Sequence, residues 1–401
     1  MIVDRSGAAS AGATLADVLQ CARCDTVAPH DQLSVLVCHC GGPLVQHYRA
    51  ATIDSSDLRK RPFGVWRYLP LLPIRDPARI VTLGEGATPL VDFAKSAREL
   101  GLAQLLVKDE GRNPTGTFKV RGASVAISRL GELGYKVIAM PTVGSGGSAW
   151  SAYAARADIE ILVGFPSSPP VPAIGPLEAA AYGAQVSIHE GGTGAAFTDF
   201  EARARAAGAA YVGAFREPYR LEGEKTICFE IIDQLNWEAP DWIAWPTGGA
   251  VGLVGLAKGF AELAASGLVS PTPRPGLLAV QHTAANPIVE AIENHRDRCL
   301  PSGPPGGLAP GLWVNTPFAD DFILASIAHH PTLGETIEDD GILRWMRRSA
   351  REEGLLIGPE GAGALAAVER AVAAGRIARG SRVVVVNTSS GLRYPHLLAA
   401  L

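Results

Sequence analysis

The chain has 401 residues, with 36 Lys plus Arg against 40 Asp plus Glu and a formal net charge of −4. That length buries a large core in two or three packed units, which excludes a small scaffold stapled by disulfides. The near balance of charge gives no overall positive field for nucleic acid or an anionic membrane, so any phosphate chemistry has to be local.

The first residues, MIVDRSGAASAG, lack the long apolar centre of a secretory signal, and a cytoplasmic location is the expectation. The longest uncharged stretches, Ile138 to Ala155 and Cys299 to Ala319, are broken by Gly, Pro and Ser, so no membrane span is expected. Six cysteines are too few for a disulfide framework. Four of them cluster, Cys21 and Cys24 in CARC and Cys38 and Cys40 in CHC. Two short-spaced thiol pairs can converge on one tetrahedral ion, as in a zinc ribbon, although the second pair is CxC rather than CxxC. Reduced structural cysteines are the other reading, and His30, His39 and His47 are nearby alternative ligands.

A Pro-punctuated connector from Asp54 to Ile80 precedes a regular alternation. Strands are predicted at 102–110, 135–142, 159–166 and 184–190, with helical periodicity at 120–133, 148–157 and 196–207. Further strands at 239–247 and 276–281 flank a helical run, helices follow at 339–354 and 361–375, and SRVVVVNTSSG is a strand opening into a turn. LPSGPPGGLAPG reads as a surface loop. Strand and helix in repetition argue for an α/β fold with parallel sheets covered on both faces.

Three segments carry chemistry. In NPTGTFKVRGA, Lys119 stands where a turn gives way to a helix, an electropositive and partly desolvated place that lowers an amine pKa. Gly248, Gly249, Ala250, Val251 and Gly252 form a small-residue turn between a strand and a helix, where backbone N–H groups can approach an anion. Gly144 to Ala149 formally fits the dinucleotide pattern, but the next strand ends in Gly164, Phe165 and Pro166 and offers no acid for a ribose.

Taken in order, LGEGATPL (83–90), VKDEGRNPTGTFKVRGA (107–123), REPYRLEGEKT (216–226), PTGGAVGLVGLAKGF (246–260), GPEGAGALAAVE (358–369) and VVVVNTSSGLRYP (383–395) resemble the fold type II family of pyridoxal phosphate enzymes, and within it the threonine synthases. The resemblance implies two parallel-sheet α/β domains and a small cysteine-rich subdomain. The implied divisions are a zinc-ribbon-like unit at 1–50, a connector at 51–82, a large domain from 83–123 and 215–401, and a small domain at 124–214.

The resemblance also implies pyridoxal 5'-phosphate bound by Lys119, Ser145, Gly248, Gly249, Ala250, Val251, Gly252 and Thr388, with Lys119 as the catalytic Schiff-base lysine. Lys108, Thr142, Gly144, Gly146 and Arg220 would meet a small, phosphorylated amino-acid substrate, with Arg112, Arg216 and Lys225 as further basic candidates. O-phosphohomoserine conversion to threonine is the implied reaction, in a homodimer. Structural zinc would sit on Cys21, Cys24, Cys38 and Cys40. Two positions depart from the pattern: Ser145 stands where those enzymes carry Asn, and GGAVG stands for GGGTG. FKVRGA is also similar to the FKIRGA of serine and threonine dehydratases, which keeps β-elimination or β-replacement as an alternative. A non-catalytic cofactor-binding protein is the alternative of another class.

Overall fold

The computed structural model describes residues 14–29, 36–168, 174–304 and 306–401. His30 falls outside them. The N-terminal unit is an antiparallel sheet of β1 (Ala16–Cys21), β2 (Val27–Pro29) and β3 (Leu44–Tyr48), with β1 in the middle. After the connector come β4 (Leu90–Asp92) and β5 (Gln104–Asp109). The strands β6 (Val137–Pro141), β7 (Glu160–Pro166), β8 (Gln185–His189) and β9 (Ala210–Tyr211) make a parallel sheet in the order β8-β7-β6-β9. Then β10 (Trp242–Pro246), β11 (Gly276–His282), β12 (Thr332–Ile337) and β13 (Arg382–Asn387) join β5 and β4 in a six-stranded sheet ordered β12-β11-β10-β13-β5-β4. It is parallel except at the β4 edge.

The large sheet is buried on both faces, and its side chains sort by the two-residue period of a strand. Val384, Val386, Ile243, Trp245, Leu277 and Ala279 belong to one apolar cluster, while Val383, Val385, Ala244, Leu278 and Val280 belong to the cluster on the opposite face. That is why VVVV can occupy a central strand without a polar residue. The same sorting holds in the small sheet, where Ile138, Met140, Ile161 and Val163 face one cluster and Ala139 the other.

The connector is more than a cover. Tyr68 and Leu71 are buried within the large cluster, and Val65 and Leu72 pack on Val125. The Lys119–Glu132 helix runs unbroken through the expected division at residue 123. Its Val120, Ala123, Ala126, Ile127 and Leu130 pack with the small sheet, so the segment that begins at Lys119 belongs by its packing to that side. The loop expected on the surface at 300–311 supplies Leu300, Pro301, Pro310 and Gly311 to the wall of the main cleft. Among the described residues, no helix is long and apolar enough to cross a membrane.

Candidate active site

Parallel sheets gather the loops after their strands on one side, and here the ends of β6, β10 and β13 open onto one cleft of about 730 Å³. Lys119, Thr142, Gly144, Ser145, Gly146, Arg220, Gly248, Gly249, Ala250, Val251, Gly252 and Thr388 all line it. Residues far apart in the chain are thus brought together by topology.

Lys119 opens its helix, and the residues before it are tied to the end of β13. The Phe118 N–H donates to the Thr388 carbonyl at 3.0 Å, and the Thr117 hydroxyl donates to the same oxygen at 3.2 Å. The Phe118 ring packs edge-on against Trp245 of β10, with centroids 5.2 Å apart, and lies 4.1 Å from the Lys119 ammonium. Lys119 Nζ reaches Glu224 Oε1 at 3.3 Å, while the side chain keeps 28% of its exposure toward the cleft. Burial pushes the Lys119 amine below its ordinary pKa; Glu224 opposes that shift and Arg220 adds to it. The amine is therefore easier to deprotonate than a surface lysine, which a nucleophile requires.

The turn after β10 is shaped by what cannot fit. A Cβ on Gly252 would lie 1.8 Å from the Trp245 ring, and one on Gly248 would lie 2.9 Å from the Gly311 carbonyl oxygen. Ala250 takes the left-handed conformation, φ 61°, and its residues lead into the Val251–Ala265 helix with no side-chain cap. Such a helix end presents uncapped backbone N–H groups and a partial positive charge, which suits a phosphate. The residues present fit a phosphorylated aldehyde cofactor: an amine of lowered pKa, a small-residue anion cradle and the buried Thr388 share one cleft.

Ser145 is the first residue of the Ser145–Arg156 helix. The Thr142 hydroxyl oxygen accepts from the Gly144 N–H at 3.1 Å and shapes the approach to it. Gly146 and Gly147 pack closely, with a Cβ 2.8 Å from Met140 and 3.0 Å from Phe165 respectively. Arg220 touches the cleft, but its guanidinium is caged. It donates to Glu217 at 3.2 Å, to Met140 Sδ at 3.3 Å and to the Val212 carbonyl, and lies 4.7 Å over Trp150.

Lys108 is a correction. It does not reach the cleft; its side chain is fully buried, and Nζ donates to the Thr88 carbonyl at 2.7 Å, Glu230 at 2.8 Å and Gln234 at 2.8 Å. Arg121 binds Glu230 and Glu110 in the same network. Burial opposes ionisation of Glu230, but Arg121 and Lys108 outweigh it and hold the carboxyl well below the usual range. On β5 the side chain of Lys108 points into the interior, and the motif around it gives no sign of that direction. Lys225 is likewise buried, between Glu222 and Glu262. Arg216 does line the cleft, 4.2 Å over Phe318, whereas Arg112 does not.

Several cleft residues went unnoticed in the sequence. Glu224 lies within REPYRLEGEKT but shows its role only beside Lys119. Glu360 is buried in the wall, accepts from Tyr394 at 2.9 Å and the Gly311 N–H at 3.2 Å, and is pushed upward in pKa by burial. Arg23 within CARC and Arg393 within VVVVNTSSGLRYP also reach the lining, and so does Arg298, from a segment with no motif. The four N-terminal cysteines are free thiols whose ligand atoms all lie within 4.8 Å of one another. His39 Nδ1 contacts Cys38 Sγ at 3.5 Å but stands outside that group of four, as does His47.

A family model described as pyridoxal-phosphate dependent enzyme matches residues 81–389. The threonine synthases of Methanocaldococcus jannaschii and Methanosarcina acetivorans are 34% and 33% identical to this chain over 381 and 384 residues. These matches cover 94% of this chain in both cases, and 93% and 92% of those proteins. Among solved structures, the processed form of threonine deaminase isoform 2 from Solanum lycopersicum superposes with a TM-score of 0.67 at 19% identity, over 88% of this chain and 96% of that one. The serine racemase of Dictyostelium discoideum gives 0.61 at 21% identity, over 76% and 92%. At those identities the solved structures speak for the shared fold alone.

Proposed function

The chain belongs to the family of pyridoxal-phosphate dependent enzymes, and from that premise we propose that it is a threonine synthase, converting O-phosphohomoserine and water to threonine and phosphate. The observation that carries the reading is the meeting of Lys119, the Gly248–Gly252 turn and Thr388 in one cleft, in a chain similar to threonine synthases over nearly its whole length. When bound, the cofactor supplies an electron sink for carbanions next to the substrate nitrogen.

The chain's own residues do the rest. The backbone N–H groups of Gly249 to Gly252 would hold the cofactor phosphate, and the Thr388 hydroxyl would hydrogen-bond its ring. Lys119 would hold the cofactor through its amine and, as a free base, would move protons at the α-, β- and γ-carbons of the substrate. Glu224, 3.3 Å from the Lys119 amine, would position it. The Thr142–Gly147 turn binds the substrate carboxylate through backbone donors. Arg216 faces the cleft with a third of its side chain exposed and is the guanidinium best placed to meet the leaving phosphate; Arg220 supports it from its cage. Carbon–oxygen cleavage at the γ-carbon releases phosphate, a proton taken from the substrate carbons returns to the γ-carbon, and water adds its hydroxyl at the β-carbon as the α-carbon is reprotonated.

The substitution of serine for asparagine at Ser145 favours one further reading. A hydroxyl is shorter than an amide and offers one donor in place of two, which leaves room for β-elimination substrates. The experiment incubates the cofactor-loaded protein with O-phosphohomoserine, O-phosphoserine, serine or threonine. Threonine and phosphate formed in equal amounts from O-phosphohomoserine is the expected result. Release of a 2-oxo acid from serine or threonine, without threonine synthesis, would replace the reading with a dehydratase. Borohydride reduction should fix the cofactor on Lys119 alone; an unlabelled Lys119 peptide removes both.

A further inference from the structure

The N-terminal cysteine unit does more than sit beside the catalytic body. Cys21 and Cys40 sulfurs are 3.5 Å apart, and Cys24 and Cys38 sulfurs are 3.6 Å apart. Those spacings far exceed the roughly 2.05 Å of a disulfide. They approach the edge of about 3.8 Å that four sulfurs make at roughly 2.3 Å from a zinc ion. The second layer is also in place. The Arg23 N–H points to Cys21 Sγ and the Gly42 N–H to Cys40 Sγ, each at 3.4 Å, which fixes and stabilises thiolates. A Cβ on Gly42 would stand 2.8 Å from Cys21 Sγ and 2.9 Å from the Arg23 Cβ, so the second cysteine turn closes on the first only because this residue has no side chain.

Arg23 lies between the first two cysteines, and its side chain leaves the cluster for the rim of the catalytic cleft. There its guanidinium makes two bonds to Asp321, at 3.1 and 3.4 Å. Asp321 also receives Arg298 at 3.5 Å, and Arg298 binds Asp320 at 3.0 Å. The two ends of this chain of ion pairs belong to different bodies. Cys21 and Cys38 are buried in the apolar cluster of the small sheet, with Leu19 and Leu44. Asp321 lies in the first turn of the Asp320–Ile327 helix, whose Phe322, Ile323 and Ile327 pack in the cluster of the large sheet. Arg23 and Asp321 therefore join the two sides of the cleft at its mouth.

We propose that Cys21, Cys24, Cys38 and Cys40 hold one zinc ion, and that this centre latches the cleft by fixing Arg23 against Asp321. The latch restrains residues 298–304 and 306–320, which wall the cleft through Cys299, Leu300, Trp313, Val314 and Phe318. Zinc loss frees the Arg23 turn and loosens that wall. The pair is part exposed, 39% and 29%, so the effect is modest and weakens with salt.

The geometry stands on its own, and only the kinetic arm below rests on the proposed reaction. Elemental analysis of the cofactor-loaded protein should give about one zinc per chain; far less than one, with no uptake from added zinc, overturns the metal centre. Arg23→Ala should keep zinc and cofactor absorbance, speed hydrogen exchange across 298–320, and raise KM for O-phosphohomoserine about 2- to 5-fold with a smaller change in kcat. Asp321→Asn should do the same, and the double variant should do little more. Removal of zinc from the unaltered protein should reproduce the exchange pattern. Unchanged exchange in Arg23→Ala overturns the latch. A protein that holds zinc and shows the exchange change, yet makes no threonine, overturns the reaction and leaves the latch standing.

Discussion

Two lysines from one motif, VKDEGRNPTGTFK, have opposite fates. Lys108 ends in a closed network, where Glu230, Gln234 and the Thr88 carbonyl take its three ammonium donors. Lys119 has one carboxylate contact at 3.3 Å and an open face toward a cleft. Burial lowers the amine pKa of both, yet only one retains unspent bonding capacity where a substrate can arrive. Burial and a shifted pKa mark a structural ion pair as readily as a nucleophile, and the open face decides.

The sharpest separation of the two is by activity. Lys119→Ala should lower kcat by more than about 10³-fold, because it removes the group that moves protons, and should abolish the borohydride adduct seen by mass spectrometry. Its denaturation midpoint should shift far less than that of the second variant. Lys108→Met should cost about 3–5 kcal/mol of stability in chemical denaturation, since it breaks a fully buried pair. A Lys108→Met protein as stable as the parent would erase the contrast.

Acid should expose the same network. The folded state holds the Glu230 carboxyl below its unfolded pKa, so the folded state binds fewer protons there. Its contribution is complete above the ordinary carboxyl range, near pH ~4.3, and is lost as pH falls through that range toward the depressed folded value. Stability in the parent should therefore fall more steeply below pH ~5 than in Lys108→Met.

A smaller effect concerns the Lys119 side. Glu224→Gln removes the one nearby group that favours the charged amine, leaving burial and Arg220 to depress it. The pH of half-maximal cofactor capture should then move down, measured from the rate of absorbance growth. No shift, or a shift upward, would mean that Glu224 does not set the charge of Lys119. The smallest effect tests the cradle. Ala250 holds φ 61°, where an L-residue with a Cβ is strained, so Ala250→Gly should raise stability by up to about 1 kcal/mol without loss of cofactor.

Much of the fold was legible. Parallel strands buried on both faces appear as apolar runs such as VVVV, and their alternation with helical periods foretold the sheets. The short or edge strands β4, β9 and β12 gave little sign, because TLGETI and AY carry neither a long apolar run nor a turn signature. Lys119, Ser145 and Thr388 were singled out by the resemblance of their segments to the family, and the Gly144–Ala149 and Gly248–Gly252 turns also stood out locally because each follows a strand. Arg23, Arg298 and Glu360 were missed because what places them is contact, not local pattern.

The sequence by itself determined the central strands of the two parallel sheets, the Lys119 segment, the small-residue turn after β10 and the four thiols, since each depends on periodicity or on residues close along the chain. Tertiary structure alone decided which basic groups face the cleft. Lys108 and Arg220 sit in equally strong motifs, yet one points into the interior of the large body and the other into the cleft wall. It also decided that Arg23 meets Asp321 across the cleft mouth. Direction of a side chain and pairing of distant charges follow from how the two sheet bodies pack, and that packing is a sum over many apolar contacts that no single segment records.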